Sequence, residues 1–139
     1  MANEAVLQYE QEQPIPFTVA NTTGVEMGTV MKLTDLMTAI KSTATSDPLA
    51  GIAAKEKIAS DGNVKLACYR KGIFKMYLSG SCVVGNPLVA MDTTNHPNHV
   101  GVAPIASANS GAAIIGHALE TGSTGETINV AVNIGAGAN

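Results

Sequence analysis

Residues Gly51 to Gly80, GIAAKEKIASDGNVKLACYRKGIFKMYLSG, alternate apolar and polar side chains with period two around glycine-containing turns. Val64, Leu66 and Cys68 fall on one face, and Lys65 and Ala67 on the other. Beyond Lys71-Gly72 the apolar face resumes as Phe74, Met76 and Leu78. Period-2 alternation means one covered face and one open face, so the string reads as three strands of a half-buried antiparallel meander. A chain built this way must be mostly β.

A fainter copy stands at the C-terminus. Gly51-Ile52-Ala53 leads through Ser60-Asp61-Gly62 into Val64-Lys65-Leu66-Ala67. Gly116-His117-Ala118 leads through Ser123-Thr124-Gly125 into Ile128-Asn129-Val130-Ala131. Duplicated hairpins in a helix-poor chain point to a small β-barrel or sandwich with short hairpins, with coincidence as the alternative. Ile128 to Ile134 is the cleanest strand. Further strands are expected at Phe17–Ala20, Thr29–Leu33 and Val100–Ile105. Cys82 to Ala90 reads as a turn between two short apolar pieces. In Thr34–Ser46, Leu36, Met37 and Ile40 have helical spacing, so one short helix of a turn or two is expected there at most.

Residues 1–16 read as an extended N-terminal arm and 17–139 as a single β domain. Pro14 and Pro16 bracket Ile15 and hold the backbone extended. Such an arm either frays or orders by adding a strand to an exposed sheet edge. Charged residues are 14% of the chain, against roughly 25% in an ordinary soluble domain. A surface so poor in charge suits a multimer or larger assembly; a sticky monomer is the plainer alternative.

The formal net charge of −3 disfavours a nucleic-acid partner. Six of the eight basic residues nevertheless lie between Lys55 and Lys75. Aromatics for base stacking are scarce beside them. Lys65, Arg70, Lys71 and Lys75 are therefore read as a solvated face or as a charge-complementary contact with an acidic protein partner. The N-terminus has neither a basic region nor an apolar run, so no secretory leader is expected. Synthesis in a reducing cytosol makes Cys68 and Cys82 two free buried thiols, although their expected strands neighbour each other. Thr93–Leu119 is uncharged, but its Pro, Asn, Ser and Gly content is wrong for a membrane helix.

No catalytic signature is present: no nucleophile elbow, phosphate-cradling loop or H-E-x-x-H. His96-Pro97-Asn98-His99 could only make zinc with help from Asp92 or His117, and Pro97 prevents the helical placement that would aim both rings together. A solvated loop is the reading, and no cofactor or metal is expected.

The pattern of a strand opening Gly-Ile-Ala, a turn, and a strand running into Tyr69-Arg70-Lys71-Gly72-Ile73-Phe74 resembles the head-decoration, or capsid-cement, proteins of tailed bacteriophages, including the lambda-type decoration protein. Gly28-Thr29-Val30-Met31-Lys32-Leu33-Thr34-Asp35 and Gly116-His117-Ala118-Leu119-Glu120-Thr121-Gly122 share the likeness, which spans roughly residues 27 to 134. The resemblance implies a non-enzymatic virion protein on the outside of an expanded capsid, assembled as a homotrimer after synthesis in the host cytoplasm. It implies the major capsid protein as partner, with no role for nucleic acid or membrane. It also implies an N-terminal arm that orders against the capsid protein, and by position this is Tyr9, Gln11, Gln13, Pro14, Ile15, Pro16 and Phe17. The Asp92–Ser110 region is longer than the lambda-type pattern. A cytosolic β-barrel module binding a peptide or small ligand is the alternative.

Overall fold

The computed structural model describes residues 3–43, 48–91, 98–103 and 113–134. Among the described residues, eleven strands form in chain order: β1 (Val6–Glu10), β2 (Ile15–Thr18), β3 (Val30–Asp35), β4 (Thr38–Lys41), β5 (Leu49–Ala53), β6 (Lys65–Tyr69), β7 (Lys71–Leu78), β8 (Pro87–Ala90), β9 (His99–Val102), β10 (Ile114–Ala118) and β11 (Thr127–Asn133). The first five after β1 close into one barrel, β2-β4-β3-β5-β6. The last five close into another through β7-β11-β10-β8-β9 and a β7–β9 pairing, with β1 added on the edge of β7.

The two barrels are built on one plan. β2 pairs in parallel with β4, and β7 in parallel with β9; every other pairing is antiparallel. Phe17 faces Leu66 in the first barrel, and Met76 faces Ile128 in the second. Met31 faces Gly51, and Leu88 faces Gly116; in both cases the next pairing skips a residue, to Lys32↔Leu49 and Val89↔Ile114. The isolated bridges Val25↔Lys57 and Cys82↔Gly122 also correspond. The Gly-x-Ala half of the C-terminal echo is therefore one visible part of a whole-barrel duplication, while its second half is displaced by two residues, since Leu66 corresponds to Ile128 and not to Val130. The same register holds at the next pair of strands: Ala53 faces Cys68, and Ala118 faces Val130.

One local device recurs because it is cheap in sequence. In Glu26–Thr29, Val83–Asn86 and Ser123–Glu126 the fourth N–H donates to the first carbonyl at 3.2, 3.0 and 3.0 Å. The third residue is Gly28, Gly85 or Gly125, at φ 91°, 90° and 88°. A type II turn needs positive φ there, which glycine adopts without a Cβ clash.

Alternation sorts the cores. Phe17, Val19, Val25, Met31, Leu66 and Cys68 fill the first barrel, and Phe74, Met76, Leu78, Leu88, Val130 and Val132 are in the core of the second. β5, LAGIA, is buried at all five positions and does not alternate in polarity. The reason is that both of its faces are covered: Ala50 and Ala53 point into the first barrel, while Leu49 and Ile52 join the second barrel's cluster together with Val30. Each such aliphatic contributes roughly 1.5–3 kcal/mol on burial, so the barrels are firmly joined.

Three sequence expectations change. The Gly51–Gly80 string is not one meander: β5 and β6 pair, but β6 and β7 enter different barrels. Only Arg70 separates them, too short a link for a hairpin. The Thr34–Ser46 stretch gives no helix over its described part, because Ala39 faces Leu33 and Ile40 faces Lys32 in a β3–β4 hairpin. The cysteines do not sit on neighbouring strands. Cys68 is on β6 and Cys82 at the second barrel's isolated bridge, both free and buried. Burial pushes the Cys68 thiol up to about 12, partly offset by Arg70. Thiolate is the nucleophile, so native protein at pH 8 should leave Cys68 unlabelled by iodoacetamide, while unfolded protein reacts. Rapid native labelling would show that the first barrel opens readily.

Candidate functional site

The strand β1 is VLQYE, and all five of its residues are exposed. Among the described residues it pairs only with β7, in the register Val6↔Lys75, Leu7↔Phe74, Tyr9↔Ile73 and Glu10↔Gly72, with an irregularity between Leu7 and Tyr9. It is thus an edge strand whose outer backbone groups meet no other named strand. Tyr9 is 69% exposed and Val6 56%. The root of the strand is held at Ala5, a buried residue whose N–H donates to Gly28 O at 2.8 Å. A cleft of about 310 Å³ runs beside it, lined by Val6, Leu7, Met27, Ala53, Tyr69 and Phe74 among others. Tyr69 and Phe74 meet edge to face there at 5.7 Å. Burial raises the Tyr69 phenol pKa, and Glu10 at the end of β1 raises it further. Glu4 also lies high for a carboxyl, first from desolvation and then from the adjoining Glu26.

The duplication explains why β1 sits on β7 and not on the matching edge of β2. Thr18 N–H donates to Met37 O at 2.7 Å, so even-numbered residues of β2 aim their N–H groups at the β4 side. Pro14 and Pro16 share that parity and have no N–H. The free length of that edge cannot supply a ladder of donors. The corresponding stretch of β7 holds Lys71, Ile73 and Lys75, each with its donor.

The expected arm residues therefore divide. Tyr9, Gln11 and Gln13 are exposed, as is Pro16; Pro14 and Ile15 are half-buried. Phe17 is only 2% exposed and lies in the first barrel's core, with Ile15 packed against the same cluster. Alternation along β2 turns both inward, so these two hold the barrel rather than face a partner.

The basic residues divide too. Lys65 is exposed on the first barrel, its Nζ donating to Thr18 Oγ1 at 2.9 Å. Lys71 is half-buried and Lys75 exposed on the second barrel, opposite Asn133 and Asn129. Arg70 is a joint: its guanidinium donates to Ala50 O at 2.9 Å, and its carbonyl accepts from Ile134 N–H at 2.9 Å. Lys57, read from sequence as part of the same solvated set, is buried. Its Nζ donates to Asn21 O (2.8 Å), Ile58 O (3.2 Å) and Asp61 Oδ1 (3.3 Å). Asp61 is held below the usual aspartate range chiefly by the Asn63 N–H, with Lys57 adding to it.

His96 and Asp92 lie outside the described residues. His99 is no part of a solvated loop: it is 7% exposed, 2.8 Å from Asn3 Nδ2 through Nε2, and stacked on Tyr77 with ring centroids 4.3 Å apart. Among the described residues, no three His, Cys, Asp or Glu side chains are grouped to hold a metal. Residues that the sequence did not mark as exposed are the apolar groups Leu36, Val83, Val84 and Leu119. Their signal was weak, because an apolar turn residue looks like core until the fold leaves it outside.

A family model described as phage cement protein matches residues 9–134. No curated protein matches the chain. Among solved structures, the fold is similar to the head fiber gp8.5 N base in bacteriophage phi29. The TM-score is 0.54 at 11% identity, and the match covers 86% of this chain and 93% of that one.

Proposed function

This chain belongs to the phage cement protein family and is a structural virion protein that stabilises the capsid, and from that premise we propose that its N-terminal strand is the part that grips the shell. The observation that carries this is β1 itself: an edge strand with every residue exposed and, among the described residues, no named strand on its outer side. A strand of the major capsid protein adds to that edge, with Tyr9 as the aromatic anchor and Gln11, Gln13 and Pro14 as the connecting contact. Residues 1–16 then act as an arm and 17–139 as the body. The protein is a homotrimer on the capsid exterior, made in the host cytoplasm and working without catalysis, cofactor, nucleic acid or membrane. Lys65, Lys71 and Lys75 offer the body's charge-complementary contacts.

Cementing needs no large affinity per arm. Several arms on one particle act together, and binding only the expanded shell stabilises that state by mass action. Deleting residues 1–13 spares β2 but also removes the buried Ala5 and the Asn3 contact to His99, so Tyr9→Ala, at an exposed position, is read beside it. Co-sedimentation with expanded capsids should weaken roughly a hundredfold, the scale of lost multivalency, while the truncated chain keeps its β circular dichroism. Truncated protein that pellets as well as the full chain would remove the arm from the mechanism.

A further inference from the structure

The two barrels meet through surfaces that the duplication repeats elsewhere on the molecule. Within the chain, the first barrel contributes Val30 and Ile52, with the exposed Met27 and half-buried Ala54 on the rim of the adjoining cleft, and the second contributes Phe74 and Asn98. The polar pin of this contact is Val30 N–H, which donates to Asn98 Oδ1 at 3.0 Å. Asn98 sits just before β9 at φ 63°.

Strand register fixes the counterparts. Gly28 N–H donates to Ala53 O and Gly85 N–H to Ala118 O, which makes Val84 the counterpart of Met27 and Leu119 that of Ala54. Val30 corresponds to Pro87 through the shared Met31↔Gly51 and Leu88↔Gly116 pairings. Leu33↔Ala39 and Ala90↔Val100 make Met37 the counterpart of Asn98, and Met37 too has positive φ, 49°. Val30 and Ile52, both 0% exposed, therefore correspond to half-buried Pro87 and exposed His117 on the second barrel, beside a rim where Val84 is 58% and Leu119 44% exposed. Conversely, the position that Asn98 buries is bare on the first barrel, where Met37 is 46% and the adjoining Leu36 87% exposed.

The chemistry changes on both sides together. Val30 N–H becomes Pro87, which has no N–H, and the Asn98 amide becomes a thioether side chain. A hydrogen-bonded pin inside the chain is thus replaced by two groups that need none, as an apolar contact requires.

We propose that the barrel–barrel contact recurs between chains, with the Leu36–Met37 tip of one copy seated on the Val84–Leu119 patch of the next. A second copy is the occupant because the contact continues one the molecule already makes with itself. Such an interface is heterologous, so it closes into a ring or runs on as a filament. It supplies the surface for the homotrimer, resting on that part of the proposed function.

The test uses Leu36→Glu and Val84→Glu, both at exposed positions, with thermal unfolding confirming that each folds. Wild-type chain should self-associate in sedimentation velocity without any capsid, and each variant alone should associate at least tenfold more weakly. An equimolar mixture of the two should form a dimer that grows no further. Only a head-to-tail contact leaves one intact tip facing one intact patch. A monomeric wild type, variants that associate like wild type, or a mixture without the dimer would each overturn the proposal. Self-association of the chain lacking residues 1–13, which keeps Leu36, Met37, Val84 and Leu119, separates this surface from the arm: it should still associate although its capsid binding is weakened.

Discussion

Gly116→Ala lowers stability by about 3 kcal/mol and the unfolding midpoint by roughly 10 °C. A Cβ at Gly116 would stand 2.0 Å from Ala131 O, 2.8 Å from Ala131 C and 2.9 Å from Val132 Cα. All three atoms are backbone of β11, whose other edge is locked to β7 over seven paired residues from Thr127 to Asn133. No side chain can rotate away to make room. Gly51, its counterpart on β5, meets the same obstacle: its Cβ would lie 2.5 Å from Tyr69 O. The glycines of the two Gly-x-Ala echoes therefore exist because two backbones approach at an irregularity in the neighbouring ladder, where a residue is skipped. Gly80→Ala is the control, since a Cβ there would meet nothing within 4 Å. Urea denaturation of the two variants should separate them clearly. Equal midpoints would mean that β11 yields, and the argument from backbone contact would fail.

Removing the Lys57 amine should cost nearly as much. The side chain is fully buried, 0% exposed, and its ammonium satisfies two backbone carbonyls and the Asp61 carboxylate. Lys57→Ala leaves those acceptors without their donor and opens a void, at a cost of about 2–3 kcal/mol; Asp61 is 31% exposed and can recruit water, which keeps the figure below that of a fully buried pair. The second barrel treats the same place differently. Gly122 stands at the counterpart of Lys57, and Leu78 and Ile128 come within 2.8 Å of where its Cβ would be. One barrel end is closed by a bonded ammonium, the other by two aliphatic side chains. Lys57→Met, which refills the volume without the bonds, should fall between wild type and Lys57→Ala. The pH dependence carries the sign. Asp61 has a depressed folded pKa, so its contribution is present above the ordinary aspartate value of 3.8 and is lost as pH falls through the lower folded value. Lys57→Met should show a smaller acid-induced loss. Variants with wild-type midpoints and an unchanged acid limb would show that the ammonium contributes nothing.

Face assignment was legible because it is local. Leu66, Cys68, Phe74, Met76 and Leu78 are all buried, as period-2 alternation requires. Val64, assigned to the same face, is 47% exposed because it precedes the first residue of β6. The Thr127–Asn133 strand lies where the cleanest alternation does. Barrel class and family were legible too, from turn chemistry and short strings around glycine. The arm was legible in part: two prolines announce an extended segment, but nothing near them says that Phe17 turns inward while Tyr9 stays out.

Pairing was not legible, because it is decided at a distance. Lys71–Leu78 reads as continuing from Lys65–Tyr69, yet β7 finds its partners in β1, β11 and β9. Only two short echoes of the duplication survive in the sequence, since a barrel constrains polarity by face and glycine by position, and leaves the remaining identities free. Lys57 looked like its five basic neighbours until Asn21, from another part of the chain, supplied its carbonyl. The sequence by itself determined which residues face inward, where the chain must turn and where it cannot donate a ladder bond, since these follow from each residue and its immediate neighbours. Only the tertiary structure decided which strands meet, which lysine is buried and which apolar turns are left uncovered, since those depend on contacts between residues far apart in the chain.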